Sequence, residues 1–233
     1  MKNRKLTPEL MDDPTLDPVT LQSALKDVTL VNKWLGGEHI TVEGIHYFIN
    51  KFPQEKYKIV DLGCGDGAML RKIANHMRAQ RIQVELVGLD LNEKSLDLAR
   101  QQSKDYPEIV YKKQDILQLE STSFQCDIII SVLTMHHFTN DEILIFLKQF
   151  LKLSKLGVVI NDLHRSKIAH ILFKGFSTVF MKTHIARHDG LISIERAFSK
   201  NELLMFTSKL KVASFKLNWR WAFRYLWILE KQK

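Results

Sequence analysis

Two aspartates and three glycines stand where a nucleotide-shaped ligand would be held. Ile59-Val60-Asp61-Leu62 is a short apolar run, Gly63-Cys64-Gly65-Asp66-Gly67 is a loop, and a helical pattern starts at Ala68. Strand, glycine turn and helix in that order hold such ligands in open α/β sheets. Glycine takes positive φ and lets a ligand approach bare N–H groups. The helix that follows turns its positive end toward the ligand. Asp61 ends the strand just before Gly63. By Coulomb sign, an acid there suits a ligand with a positive group better than a pyrophosphate. Asp90 closes a second apolar run that begins at Val84, where a carboxylate accepts from ribose hydroxyls.

Histidines supply the candidates for proton transfer. Thr134-Met135-His136-His137-Phe138 follows the fourth predicted strand. Side chains there face the crevice where α/β ligands sit, and imidazole titrates near neutrality. His136 or His137 is a candidate base for a hydroxyl; the competing reading is that the pair only shapes the loop. Asn161-Asp162-Leu163-His164-Arg165 leaves the fifth strand. His164 and Arg165 are placed to meet an acceptor, with Arg165 as partner for a phenolate or carboxylate. His184 and His188 have i,i+4 spacing but no further ligand at a telling distance, so no metal is expected.

Asp61-Leu62-Gly63-Cys64-Gly65-Asp66-Gly67 followed by Asp90 resembles the cofactor site of class I S-adenosylmethionine-dependent methyltransferases. The resemblance implies S-adenosylmethionine as cofactor. It carries over Asp61, Gly63, Cys64, Gly65 and Gly67 as the loop, Asp90 for the ribose, and Leu91 as packing on the adenine. Asp115, in the pair Asp115-Ile116, would meet the adenine amino group; capping a turn is the alternative. Ser131 and Leu133 would lie beside the methionine part. The His-His stretch resembles the loop of quinone-type and other small-molecule methyltransferases. Enzymes that methylate adenine or cytosine amino groups carry an acid or Asn, two prolines and an aromatic instead, and that pattern is missing here. Arg187 to Phe198, Glu9 to Pro14, and the tail Trp219 to Tyr225 resemble methyltransferases found beside bacterial type III polyketide synthases. That subgroup is thought to methylate phenolic or resorcinolic lipids, which implies Arg165, Asp189 and Arg196 at the acceptor.

The elements that must position these residues follow the chain. Prolines and aspartates in Met1–Asp17 block helix and predict an ordered arm or a frayed tail. Asp17 caps a helix from Pro18 that Gly36-Gly37 ends; a second runs from Thr41 to Lys51. Strands are predicted at Lys58–Leu62, Val84–Asp90, Ile109–Lys113, Cys126–Leu133 and Gly157–Asn161. Helices lie between them, with Asn92 and Asn140 as caps. Ser166 to Thr183 reads as an amphipathic helix, either a substrate lid, a membrane-surface contact or a core-packing helix. A capping box at Ser199–Glu202 opens a helix to Leu210, and Lys211–Asn218 with Phe223–Glu230 forms a hairpin. The expected architecture is a Rossmann-like, doubly wound, mostly parallel seven-stranded α/β sheet. It carries a C-terminal antiparallel hairpin and an N-terminal helical cap. The chain is expected to be one domain: cap 1–53, cofactor-binding core 54–164, lid 165–198, and C-terminal helix and hairpin 199–233.

At 233 residues, 45% hydrophobic and 26% charged, the composition is that of a globular chain with room for a core. Its two cysteines do not make a disulfide framework, and a reducing, cytoplasmic setting is expected. No run is apolar and long enough to span a bilayer. The net charge of +8 is locally concentrated: Arg165, Lys167, Lys174, Lys182 and Arg187 fall in a stretch without an acid. An anionic substrate, a membrane surface, nucleic acid or plain solvation all fit that excess. A small-molecule acceptor is the expected partner, with no nucleic acid. Two alternatives stand: a nicotinamide-dependent oxidoreductase, using Gly63, Gly65 and Ala68 as the fingerprint, and a non-catalytic RNA-binding relative of the fold.

Overall fold

A computed structural model describes residues 1, 3–13, 15–119 and 124–232. Pro14, part of the N-terminal arm, lies outside the described residues. In chain order the elements are α1 (Pro18–Trp34), α2 (Gly37–Lys51), β1 (Lys56–Leu62), α3 (Ala68–Ala79), β2 (Gln83–Asp90), α4 (Glu93–Gln102), β3 (Ile109–Lys113), β4 (Cys126–Val132), α5 (Asn140–Leu153), β5 (Ser154–Leu163), α6 (Lys167–Phe180), α7 (His184–Arg196), α8 (Lys200–Ser208), β6 (Val212–Arg220) and β7 (Arg224–Lys231).

Seven strands form one sheet in the order β3-β2-β1-β4-β5-β7-β6. β1, β2, β3, β4 and β5 pair in parallel, and β7 inserts antiparallel between β5 and β6. The expected sheet and hairpin are both present. Chain order reverses between β1 and β4, so the carboxyl ends of those strands open the crevice where such folds take ligands. β4 runs through the middle as Ile128, Ile129 and Ile130, each fully buried between the two helical layers. One core, under α2 and α3, joins Phe48, Ile59, Ile73 and Val159. The other, under α5 and α8, joins Val60, Ile129, Phe146, Phe206 and Trp227.

Local signals explain most boundaries. The Asp17 carboxylate accepts from Thr20 N at 2.9 Å and Pro18 opens α1, while the Asn92 side chain caps α4. At α5 the cap is Thr139, in a capping box with Glu142, and the expected cap Asn140 is the first helical residue. Gly36, at φ 72°, hinges α1 to α2, so α2 begins at Gly37 rather than at Thr41. α2 lies flat on the sheet, so close that a Cβ on Gly44 would stand 2.4 Å from Val159. β5 runs from Ser154 to Leu163, longer at both ends than expected, because Ser154 pairs with Cys126 of β4 and β7 pairs along it from Gly157 to Leu163. α7 has no counterpart in the sequence reading. Gly190 sits inside it where Phe173 of α6 packs, and a Cβ there would be 2.3 Å from that ring.

Candidate functional site

The glycine loop leaves β1 with Asp61 at the strand end, 1% exposed. Gly63 N and Cys64 N donate to Leu89 O, which ties the loop to the end of β2. Gly65 N donates to Asp90 Oδ2 at 2.8 Å, and Asn92 N donates to Asp90 Oδ1 at 2.9 Å. Gly65 has φ 53° and open space where a Cβ would point, so its backbone is bare to an approaching ligand. Gly67, at φ 74°, starts α3 without a side-chain cap, and a Cβ there would strike the Tyr111 hydroxyl. Cys64 is buried in the same loop, and burial pushes its thiol up.

The charge in this loop is unbalanced. Asp61 Oδ1 is buried without a hydrogen-bond partner, and so is Ser131 Oγ at the end of β4. Burial, and then the charge of Asp90, push the Asp61 carboxyl up to about 8. Burial also raises Asp90 and Asp66. Asp66 is capped by Ala68 N and faces Arg71 at 3.9 Å. A cationic ligand relieves this crowding, whereas a pyrophosphate adds to it. Orphaned acceptors, a bare glycine and excess acid fit a nucleoside with a positive tail, which S-adenosylmethionine is.

The remaining sequence-predicted cofactor residues follow the carboxyl ends of β2, β3 and β4. Leu91 follows Asp90 and is 61% exposed, an apolar surface with no protein cover. Asp115 caps a single turn, Ile116–Gln118, accepting from Leu117 N at 2.8 Å and from the Gln118 side chain. Ile116 packs half-buried against the core, while Leu133, at φ 54°, donates its N–H to Asn161 O.

The two adjacent histidines have different surroundings. His136 is 2% exposed, and its ring Nδ1 pairs with Asp162 Oδ1 at 2.7 Å. Its Nε2 stands 3.5 Å from Glu9 Oε1, too long for a good hydrogen bond but close for an ion pair. Burial opposes the imidazolium, yet Asp162 and Glu9 outweigh it and raise His136 to about 9. At neutral pH His136 is therefore a buried cation between two carboxylates, a poor proton acceptor. His137 is 25% exposed; its Nδ1 lies 3.3 Å from Asp12 Oδ2 and its Nε2 3.8 Å from Glu9 Oε1.

The ligating atoms of Glu9, His136 and His137 lie within 4.8 Å of one another, a spacing that also suits a metal. One imidazolium at His136 stands here against the carboxylates of Glu9 and Asp162. His184 and His188 stack at 6.3 Å on α7, apart from that cluster in sequence and without a third ligand among the described residues.

His164 lies half-buried at the other side of the histidine loop, where Trp219 Nε1 donates to its Nδ1 at 3.3 Å. Its ring is 5.1 Å from Tyr225, and burial followed by the Arg165 charge lowers its pKa. Arg165, Asp189 and Arg196, expected at the acceptor, spend their polar atoms on the protein. Arg165 forks onto Glu202 at 2.9 Å and donates to Ala197 O. Asp189 accepts from Leu10 N and Met11 N, each at 2.8 Å. Arg196 donates to His136 O, His137 O and Thr7 O. Arg4 donates to His136 O and Phe138 O. The N-terminal arm is thus strapped across the histidine loop and delivers Glu9 and Asp12 to it. Sequence reasoning grouped the Glu9 stretch with the Asp189 stretch but did not connect either to the histidines. It also missed Asp162 as the partner of His136; the available signal was an acid on the strand next to the histidine loop.

Comparison with known proteins agrees with this geometry. Residues 59–157 match the model of a methyltransferase domain. The putative methyltransferase YqeM of Bacillus subtilis (strain 168) is 29% identical over 121 residues, 50% of this chain and 47% of that protein. The match therefore spans about half the length of that curated relative. The plantazolicin methyltransferase BpumL in complex with S-adenosylhomocysteine superposes with a TM-score of 0.69 at 15% identity, covering 96% of this chain and 94% of that one. The CurJ carbon methyltransferase gives 0.67 at 16% identity, over 94% of this chain and 62% of that one. Magnesium protoporphyrin IX methyltransferase (ChlM) from Synechocystis PCC 6803, with S-adenosylhomocysteine bound, gives 0.58 at 15% identity over 87% of each. At such identities the likeness is one of fold. Residues 59–157 thus match a methyltransferase-domain model, and the sheet as a whole shares the Rossmann-like fold of these S-adenosylhomocysteine-bound structures.

Proposed function

We propose that the protein is an S-adenosylmethionine-dependent methyltransferase acting on a small, largely apolar acceptor, a phenolic or polyketide-derived lipid or quinol. The observation that carries the reading is the buried, unpartnered Asp61 carboxylate beside Asp90 at the mouth of the glycine loop. When bound, the cofactor supplies a methyl group on a positively charged sulfur, which keeps the C–S bond pair as the methyl leaves. Asp61 and Ser131 bind the amino-acid end, Asp90 the ribose, and Leu91, Asp115 and Ile116 the adenine side. Cys64, Gly63, Gly65, Gly67 and Leu133 give the crevice its shape.

His137 is the candidate base. It is partly exposed, its Nδ1 faces Asp12, and a phenol losing its proton to Nε2 becomes the better nucleophile. His136 is a positioning residue that locks Glu9 and Asp162 in place. His164 is the second candidate, neutral near pH 7 within the Trp219, Phe223 and Tyr225 rings, which suit an apolar aromatic acceptor. Segments 1–53 and 165–198 cover the crevice and 54–164 holds the cofactor.

No helix among the described residues is long and apolar enough to cross a membrane. α6 nonetheless turns its large apolar side chains outward: Ile168, Ile171, Leu172 and Val179 are each more than half exposed. Lys167 and Lys174 flank them, and Trp34 of α1 meets Phe180 at 5.5 Å. This is the face of a cytoplasmic protein that touches a membrane surface to collect a lipid acceptor. The test is incubation with methyl-labelled S-adenosylmethionine and a panel of alkylresorcinols, phenols and quinols. Label appearing in a phenolic product supports the reading. Cofactor binding with label only in nucleic acid or protein would overturn the acceptor class.

A further inference from the structure

Arg224 opens β7 with 3% exposure, and its Nε and Nη1 have no hydrogen-bond partner. No ion pair reaches it among the described residues. Asp162, the acid whose charge acts on it, is committed to His136 and to Leu163 N. Burial brings Arg224 down to about 10. The guanidinium also lies against the wrong end of a helix. A Cβ on Gly37, the first residue of α2, would stand 2.9 Å from Arg224 Cζ. α2 is 15 residues long, and its N-cap Gly36 offers no side-chain cap. Its first N–H groups have no intrahelical partners, and its dipole is positive there. Glu38, the acid of that turn, faces Lys72 at 3.7 Å. Asn161 Nδ2 donates to Gly37 O at 2.7 Å and to Thr41 Oγ1, fixing this turn over the sheet.

A buried cation against a helix N-terminus needs an anion. We propose that Arg224 and the first turn of α2 form a carboxylate-binding site for the methyl acceptor, so that the substrate is an aromatic or lipid acid. The strand order separates this site from the cofactor's own carboxylate. β7 is three strand positions from β1, roughly 14 Å at about 4.8 Å per strand, on the acceptor side of the crevice.

The proposal rests on the methyltransferase reading, and the experiment separates the two. The full chain is first titrated with S-adenosylhomocysteine; lack of binding refutes the methyltransferase reading itself. With S-adenosylhomocysteine bound, benzoate is added to wild type and to Arg224→Met, with benzyl alcohol as the uncharged control, and melting is followed. Benzoate should raise the wild-type midpoint and leave Arg224→Met and the alcohol samples unmoved. Turnover of orsellinate against orcinol, which lacks the carboxylate, should favour the acid about tenfold or more, as a charged hydrogen bond implies. That ratio should collapse toward one in Arg224→Met and recover in part in Arg224→Lys, with affinity for S-adenosylhomocysteine unchanged in both. No benzoate shift in wild type, an equal shift in Arg224→Met, or a preference for orcinol overturns the proposal.

Discussion

Asp61→Asn tests the electrostatics of the site most sharply. The Asp61 carboxyl is buried, unpartnered at Oδ1 and pushed up to about 8. At pH 7 roughly nine in ten unliganded molecules carry its proton. An ammonium placed beside it lowers a carboxyl by about 1–3 units, so binding expels that proton. S-adenosylhomocysteine titrated at pH 7 should release somewhat under one proton, roughly 0.9 at the upper end of that shift, and far less near pH 9. Calorimetry in buffers of different ionisation enthalpy reads this directly. Asp61→Asn should bind more weakly and lose most of the release. The stability sign follows from the same raised value. Between pH 4 and 8 the folded state holds more protons than the unfolded chain, so unliganded stability falls as pH rises. The loss reaches on the order of 4 kcal/mol by pH 7, three units at about 1.4 kcal/mol each. Asp61→Asn should flatten that slope in urea unfolding. Equal binding heats in all buffers for wild type, or undiminished release in Asp61→Asn, would refute the reasoning.

His136, raised to about 9, contributes stability that is complete below pH 6.5 and lost as pH climbs to 9. His136→Gln should cost about 3–5 kcal/mol near pH 6, measured by urea unfolding, because it strands Asp162 and Glu9 as buried charges. His137→Ala should keep the fold by circular dichroism and lower kcat by about 10²–10⁴-fold, with rescue at high pH where a phenol ionises unaided. Leu172→Glu with Val179→Glu, both on exposed positions of α6, should leave melting unchanged. The pair should abolish sedimentation with phosphatidylglycerol vesicles; equal binding by the variant would remove α6 from the membrane surface.

The glycine loop and its two flanking acids were legible because their signals are local. Asp61, Gly63, Gly65, Gly67 and Asp90 lie at strand ends whose strands announce themselves by composition, and the glycine φ values follow from the turn. The surroundings of the histidine loop were not, because their contacts span the chain. Glu9 meets His136 across more than a hundred residues, through an arm that Asp189 and Arg196 hold by backbone hydrogen bonds. Backbone donors and acceptors leave no trace in a side-chain pattern. Arg165 looked like a ligand for an anion and is instead forked onto Glu202, whereas Arg224, read only as part of the tail Trp219 to Tyr225, is buried. α7 was hidden for a different reason. Gly190 interrupts it, and its apolar residues follow no single face.

The most direct measurement is calorimetric titration of the full chain with S-adenosylhomocysteine, run beside NADH. The acid-glycine-acid geometry predicts micromolar binding of the first and none of the second. Binding of NADH alone would contradict it, since a pyrophosphate would then be sitting against Asp61 and Asp90.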